Sequence, residues 1–216
     1  GRPKAEWIDE KPLIEGKTSL ASHSLEYYVD SPRRGYELSL AVSLGHESVF
    51  SPITAQLMAL SFQRYWNLGG FEPPIAVVGV RGMVATTHVD EATRTSGLVP
   101  THFRHFLGGS QSLRGFGRKE LPGPGGALTA FFLSNEVRFT GFLPLDLQPF
   151  LFLDVGEMSP KPFSLESPVY WSPGGGVRWA SPIGTVRTTV AHGWVDSAPQ
   201  SELSHWQFYF TFGEEF

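Results

Sequence analysis

The sequence predicts an all-β fold of long antiparallel strands, on three observations. First, apolar and polar side chains alternate with period two. Tyr36, Leu38, Leu40, Val42 and Leu44 alternate with Glu37, Ser39, Ala41, Ser43 and Gly45. Trp206, Phe208, Phe210 and Phe212 alternate with Gln207, Tyr209, Thr211 and Gly213, and a weaker case runs through Val186, Thr188, Val190 and Trp194. Successive strand side chains point to opposite faces, so each segment has one apolar face and one polar or small face. Second, several segments span about 11 residues or more. Globular strands run about 5–6 residues, whereas a tilted membrane strand needs about 9–11. Third, short and long connections alternate, as in a bacterial transmembrane barrel. A soluble β-sandwich or lipocalin-like barrel also alternates, and pattern alone does not say which face is wet.

In chain order, residues 1–17 are polar, begin without Met and lack the apolar core of a signal peptide. They read as an exposed loop or boundary segment of a processed or longer product, with 18–216 as the folded portion. Nine strands are expected, at about 18–30, 36–47, 53–67, 74–87, 127–140, 147–157, 170–180, 184–195 and 205–216. Tight turns fall at Ser31-Pro32-Arg33-Arg34-Gly35, Gly141-Phe142-Leu143-Pro144 and Ser181-Pro182-Ile183-Gly184. The long connection, about 88–126, lies between the fourth and fifth strands. The chain ends in an aromatic strand closing on Phe216.

Composition excludes several classes. Seventeen Lys+Arg stand against 21 Asp+Glu, net -4, so there is no basic excess for a nucleic acid. Without cysteine there is no thiol catalysis, cysteine-ligated zinc or disulfide. Mean hydropathy is -0.11, and no run nears the roughly 18 apolar residues of a spanning helix. That average conceals an apolar face behind a polar one. The 24 Gly and 17 Pro exceed the roughly 26 expected at average usage, and 17 Phe accompany them. Together they suggest turns and strands. No catalytic group is assigned: Gly108-Gly109-Ser110-Gln111-Ser112 is not a nucleophile elbow. His102 and His105 belong to no H-E-x-x-H pattern, and for His23 and His192, on the outward parity, no catalytic Ser-His pairing is read. No metal, cofactor or Walker loop is read.

The long connection carries His105-Phe106-Leu107-Gly108-Gly109-Ser110-Gln111-Ser112-Leu113-Arg114-Gly115-Phe116-Gly117. It resembles the sixth extracellular loop of the BamA/TamA superfamily of outer-membrane insertases, with Leu113-Arg114-Gly115-Phe116 at the R-G-F motif. Further stretches fit in order: Tyr28 to Tyr36, Asn135-Glu136-Val137-Arg138-Phe139, Phe150-Leu151-Phe152-Leu153-Asp154-Val155-Gly156, and Gly174-Gly175-Gly176-Val177-Arg178-Trp179-Ala180-Ser181-Pro182-Ile183-Gly184.

The resemblance covers about residues 25–216. It implies the C-terminal strands of a transmembrane β-barrel of about 16 strands in the Gram-negative outer membrane, with the loop tucked into the lumen. It implies that Arg114 pairs with Glu136 and Asp154. Parity agrees: with both carboxylates inward, Phe131, Leu133, Val137, Phe139, Leu151, Leu153 and Val155 face lipid. Gly108, Gly109, Gly115 and Gly117 are expected to permit a tight loop with positive φ. Arg81, Arg138, Arg178 and Arg187 share the lumen parity and form a general polar network with no individual role assigned. Trp66, Trp171, Trp179, Trp194, Trp206 and Tyr27 suit an interfacial girdle.

The implied function is insertion of barrel proteins through a seam at the last strand, marked by Phe208, Phe210, Phe212, Gly213 and Phe216, with Gly193 and Gly213 weakening its pairing. The implied partners are the barrel's N-terminal half, unfolded outer-membrane clients, lipid or lipopolysaccharide, and accessory lipoproteins. Two alternatives share the loop motif: a two-partner secretion transporter, and a barrel anchoring an upstream patatin-like lipase domain.

Overall fold

A computed structural model describes residues 14–23, 34–46, 55–69, 75–91, 99, 101–123, 125–141, 143–165, 168–181, 184–196 and 206–212. The described strands are β1 (Ile14–His23), β2 (Gly35–His46), β3 (Ala55–Leu68), β4 (Ala76–Val89), β5 (Thr129–Phe139), β6 (Leu147–Ser159), β7 (Val169–Ser181), β8 (Gly184–His192), β9 (Trp194–Val195) and β10 (Trp206–Phe212). They form one antiparallel sheet in the order β1-β2-β3-β4-β5-β6-β7-β8-β10, with β9 paired to β7. No described helix is long and apolar enough to cross a membrane.

Two sequence expectations are adjusted. The first strand starts at Ile14, inside the segment read as a leading loop. The expected 184–195 strand is divided at Gly193 into β8 and β9. Its register against β7 nevertheless continues, Gly174 facing Ala191 and Trp171 facing Trp194. The motif at 28–36 and the chain's last four residues, including Gly213 and Phe216, lie wholly or largely outside the described residues, as does Tyr27.

Alternation sorts the side chains into two faces. Leu38, Leu40, Met58, Leu60, Leu151, Leu153, Val190, Trp194, Phe208 and Phe210 all stand on the exposed face. Trp66, Trp171, Trp179 and Trp206 stand there too. The opposite face buries Ser134, Glu136, Arg138, Asp154, Ser172, Arg178, Arg187 and Thr189. This is inverted relative to a soluble sheet, whose apolar face is the buried one. It is the arrangement expected of strands bathed in hydrocarbon outside and polar groups inside.

The connection between β4 and β5 folds back over the polar face. It is tied by bridges between His105 and Ala127 and between Leu107 and Leu121. Leu107, Leu113, Phe116 and Leu121 from this connection pack with Ala130, Phe132, Met158, Tyr170 and Val195 from the strands. Phe103 packs in a second cluster with Ala55, Val89, Val99 and Leu128. Burying each such large apolar side chain contributes roughly 1.5–3 kcal/mol relative to exposure. The loop is therefore held first by apolar packing, and its polar contacts fix where it sits.

Candidate functional site: the seated loop and its charged socket

The loop tip is a closed turn. Gly109 N–H donates to Phe116 O (2.9 Å), Phe116 N–H to Leu113 O (3.1 Å) and Ser112 N–H to Gly109 O (3.2 Å). Gly108 and Gly109 adopt φ of 109° and 103°, where a side chain is disfavoured. Gly115 and Gly117 are not among the positive-φ residues, and Gly115 serves another purpose. A Cβ there would come within 2.4 Å of Gly193 N, and one on Gly193 within 2.5 Å of Gly115 O. The two glycines let the loop backbone lie directly on the strand at the β8–β9 break. Gly193, read from sequence as a weak point of the seam, is a contact surface for the loop.

The turn aims Arg114 at the wall. Its Nε donates to Asp154 Oδ2 (2.9 Å) and its Nη2 to Asp154 Oδ1 (2.7 Å). Nη1 donates to Glu136 Oε2 (2.8 Å) and Nη2 also to Ser134 Oγ (2.9 Å). The backbone N–H of Arg114 reaches Asp154 Oδ2 (3.1 Å). Thus the structure brings Arg114, Glu136 and Asp154 together, with Arg114 only 2% exposed. The planar fork suits this two-sided grip, which a point-charge ammonium cannot copy.

The socket is laid down by strand register. Arg81 faces Ser134, Ser134 faces Asp154, and Asp154 faces Ser172 across β4 to β7. Ser134 Oγ donates to Asp154 Oδ1 (2.6 Å). Ser172 Oγ accepts the Gly115 N–H. Arg81 Nη2 donates to Gln111 O (2.8 Å). A single polar row therefore holds the loop by side chain and backbone together.

Sequence reasoning missed several members. Arg187, assigned no individual role, donates from Nη2 to Glu136 Oε2 (2.7 Å), so one carboxylate oxygen is shared by two guanidiniums. Phe152 lies 3.3 Å under the Arg114 guanidinium carbon, and Phe150 lies 4.1 Å under that of Arg187. Cation–π contacts of this kind are worth up to about 2 kcal/mol when desolvated. The glycines of β7 make room for the rings: a Cβ on Gly174 would meet Phe152 Cζ at 2.4 Å, and one on Gly176 would meet Phe150 Cζ at 2.7 Å. Gly156 likewise admits Leu113 and Leu107, whose Cδ1 atoms lie 2.7 and 2.9 Å from its ideal Cβ. The signal in the sequence was the spacing of Phe150 and Phe152 on the parity of Asp154, with Gly-Gly-Gly on the following strand.

At the near end, Phe116 meets Tyr170 edge-on with centroids 5.7 Å apart, and Tyr209 Oη donates to Phe116 O (3.0 Å). Phe208, Phe210 and Phe212 point to the opposite, exposed face. His192 stands on that face between Trp194 and Trp206, 5.3 and 4.7 Å away by ring centroid. Among the described residues no group of His, Asp and Glu could hold a metal.

A family model described as the Omp85 superfamily domain matches residues 13–216. No curated protein matches the chain. Among solved structures, the chain is similar to BamA from Haemophilus ducreyi lacking POTRA domains 1–3, at TM-score 0.65 and 17% identity. The match covers 91% of this chain and 42% of that one. At this identity the likeness carries the fold: the sheet is a C-terminal portion of a transmembrane β-barrel. Its apolar face meets lipid and its polar face lines the lumen.

Proposed function

The chain belongs to the Omp85 superfamily of outer-membrane β-barrels, and from that premise we propose that it helps to insert other β-barrel proteins into the Gram-negative outer membrane. The observation that carries this reading is β10. It pairs with β8 over seven residues, Trp206 facing His192 through Phe212 facing Val186. Among the described residues its other edge has no strand neighbour, and in a closed barrel that edge meets the barrel's first strand, which makes it the seam. Its lipid-side residues are the most exposed large apolar groups near the site, Phe208 at 73% and Phe210 at 72%.

Opening of that closing pair leaves backbone groups unsatisfied in lipid at several kcal/mol each. An incoming strand satisfies them by edge-on pairing. The gain in backbone hydrogen bonding and lipid contact supplies the driving force, without a nucleotide. In this role Phe208, Phe210 and Phe212 lie on the seam strand, while Gly213 and Phe216, read with them from the sequence, lie outside the described residues. Arg114, Glu136 and Asp154 hold the loop that backs it from the lumen.

The partners of the reading are the preceding strands of the barrel, which cover the β1 edge, and unfolded barrel clients. Lipid or lipopolysaccharide and accessory lipoproteins complete the set. Depletion of the protein tests it. Loss of many outer-membrane barrels together is the expected result. Loss of one secreted polypeptide alone points instead to a two-partner transporter, and loss of a single surface lipase activity to a patatin-domain anchor.

A further inference from the structure

We propose that Tyr209 is a positioning residue that couples the seated loop to the terminal strand, so that unseating the loop tip and loosening β10 are one linked event. The proposal rests on the seam reading above and names the contact through which the lumen side reports to that seam.

Three observations carry it. Phe116 O accepts two hydrogen bonds, from Gly109 N–H within the loop turn (2.9 Å) and from Tyr209 Oη on β10 (3.0 Å). One carbonyl therefore belongs both to the turn that aims Arg114 and to the inner face of the last strand. Phe116 cannot shift alone. Its ring is fully buried against Tyr170 on β7, and the adjoining Gly115 lies against Gly193 without room for a Cβ. Finally, β10 alternates its anchorage: Trp206, Phe208, Phe210 and Phe212 project into lipid, while Tyr209 projects inward to the loop. The tip thus touches β5 and β6 through Arg114, β7 through Ser172 and Tyr170, the β8–β9 break through Gly193, and β10 through Tyr209.

Coupling of this kind is reciprocal. A seated Arg114 steadies β10, and a strand that draws β10 aside weakens the seat by the same factor. The loop would then sense seam occupancy without touching the client.

Amide hydrogen exchange of residues 206–212 tests this in the intact barrel protein in lipid nanodiscs, comparing wild type, Arg114→Lys, Tyr209→Phe and the double variant. Tyr209→Phe keeps the ring and removes the hydroxyl, and β10 exchange is expected to rise about fivefold, the effect of one neutral hydrogen bond. Arg114→Lys is expected to raise β10 exchange in the Tyr209 background and to add nothing further in the Tyr209→Phe background. A purely structural tyrosine gives equal Arg114→Lys effects in both backgrounds, which overturns the proposal. Unchanged β10 exchange when the loop has been released also overturns it. Gly193→Ala, which displaces the tip from the opposite side, serves as a second unseating variant with the same expected pattern. No client is present, so a failed coupling is distinguishable from a failed insertase reading.

Discussion

Replacing Arg114 by lysine keeps the charge and removes the fork, which makes it the sharpest perturbation of the loop seat. The arginine side chain makes four hydrogen bonds, two to Asp154, one to Glu136 and one to Ser134. A lysine ammonium reaching the same depth satisfies one carboxylate as a point charge. Charge-assisted bonds contribute about 1.5–3 kcal/mol each. Glu136 keeps Arg187 as a partner, so the loss falls mainly on Asp154, and the net weakening of the seat is about 3 kcal/mol. That corresponds to roughly a 100-fold rise in the unseated population. The chain has no cysteine, so a single Leu113→Cys provides a clean probe at a position that is 0% exposed. Maleimide labelling of that cysteine is expected to accelerate about 100-fold when Arg114→Lys is added, with β-sheet circular dichroism retained. Alanine at 114 leaves Asp154 buried without its cation and is expected to exceed lysine, at about 3–5 kcal/mol. Equal labelling rates for arginine and lysine refute the argument that fork geometry holds the loop.

Other outcomes follow from the two faces and from the loop's upper end. Leu153→Arg puts a charge on the lipid side next to Asp154 on the lumen side, and is expected to destabilise the barrel by about 2–4 kcal/mol in a urea titration in lipid. Asp154→Asn, on the other face, is expected to release the loop while leaving the sheet folded, read by the same cysteine label. At the upper end, Thr87 Oγ1 donates to Phe103 O (2.6 Å), so it accepts from His105 Nε2–H (3.0 Å). Burial holds the His105 imidazole below its usual 6.5. The released loop therefore binds the proton more readily than the seated one. The stabilisation is complete above the usual value and is lost as pH falls through the lowered one. Labelling of Leu113→Cys, normalised at each pH to that of a fully exposed cysteine, is expected to rise as pH falls below the usual 6.5, and His105→Asn to flatten that profile.

Much of this was legible in the sequence for one physical reason: a strand's period of two fixes faces without reference to its neighbours. Asp154 shares parity with Phe152 and Phe150, and opposes Leu151 and Leu153, whatever strand lies alongside. Arg114 stood out because its motif recurs in a known loop, and the carboxylates because no lipid face tolerates them cheaply. What was not legible depends on register, which alternation leaves free by any even shift. The contact of Arg187 with Glu136 spans three strands, and the seating of Phe152 over Gly174 depends on their facing each other. The division of the eighth strand at Gly193 was hidden because the loop, not the local sequence, presses on that residue. Gly115 was read as permitting a positive φ and Gly193 as weakening strand pairing, whereas the structure uses both as surfaces without side chains.

The most direct test of the insertase account is site-specific photocrosslinking during assembly. A photoreactive residue is placed on β10 at Phe210 or, for contrast, on the lumen wall at Arg178. The account predicts adducts with many different barrel clients from position 210 and few from position 178. Adducts with a single secreted polypeptide, formed from the lumen wall and absent from β10, would contradict it.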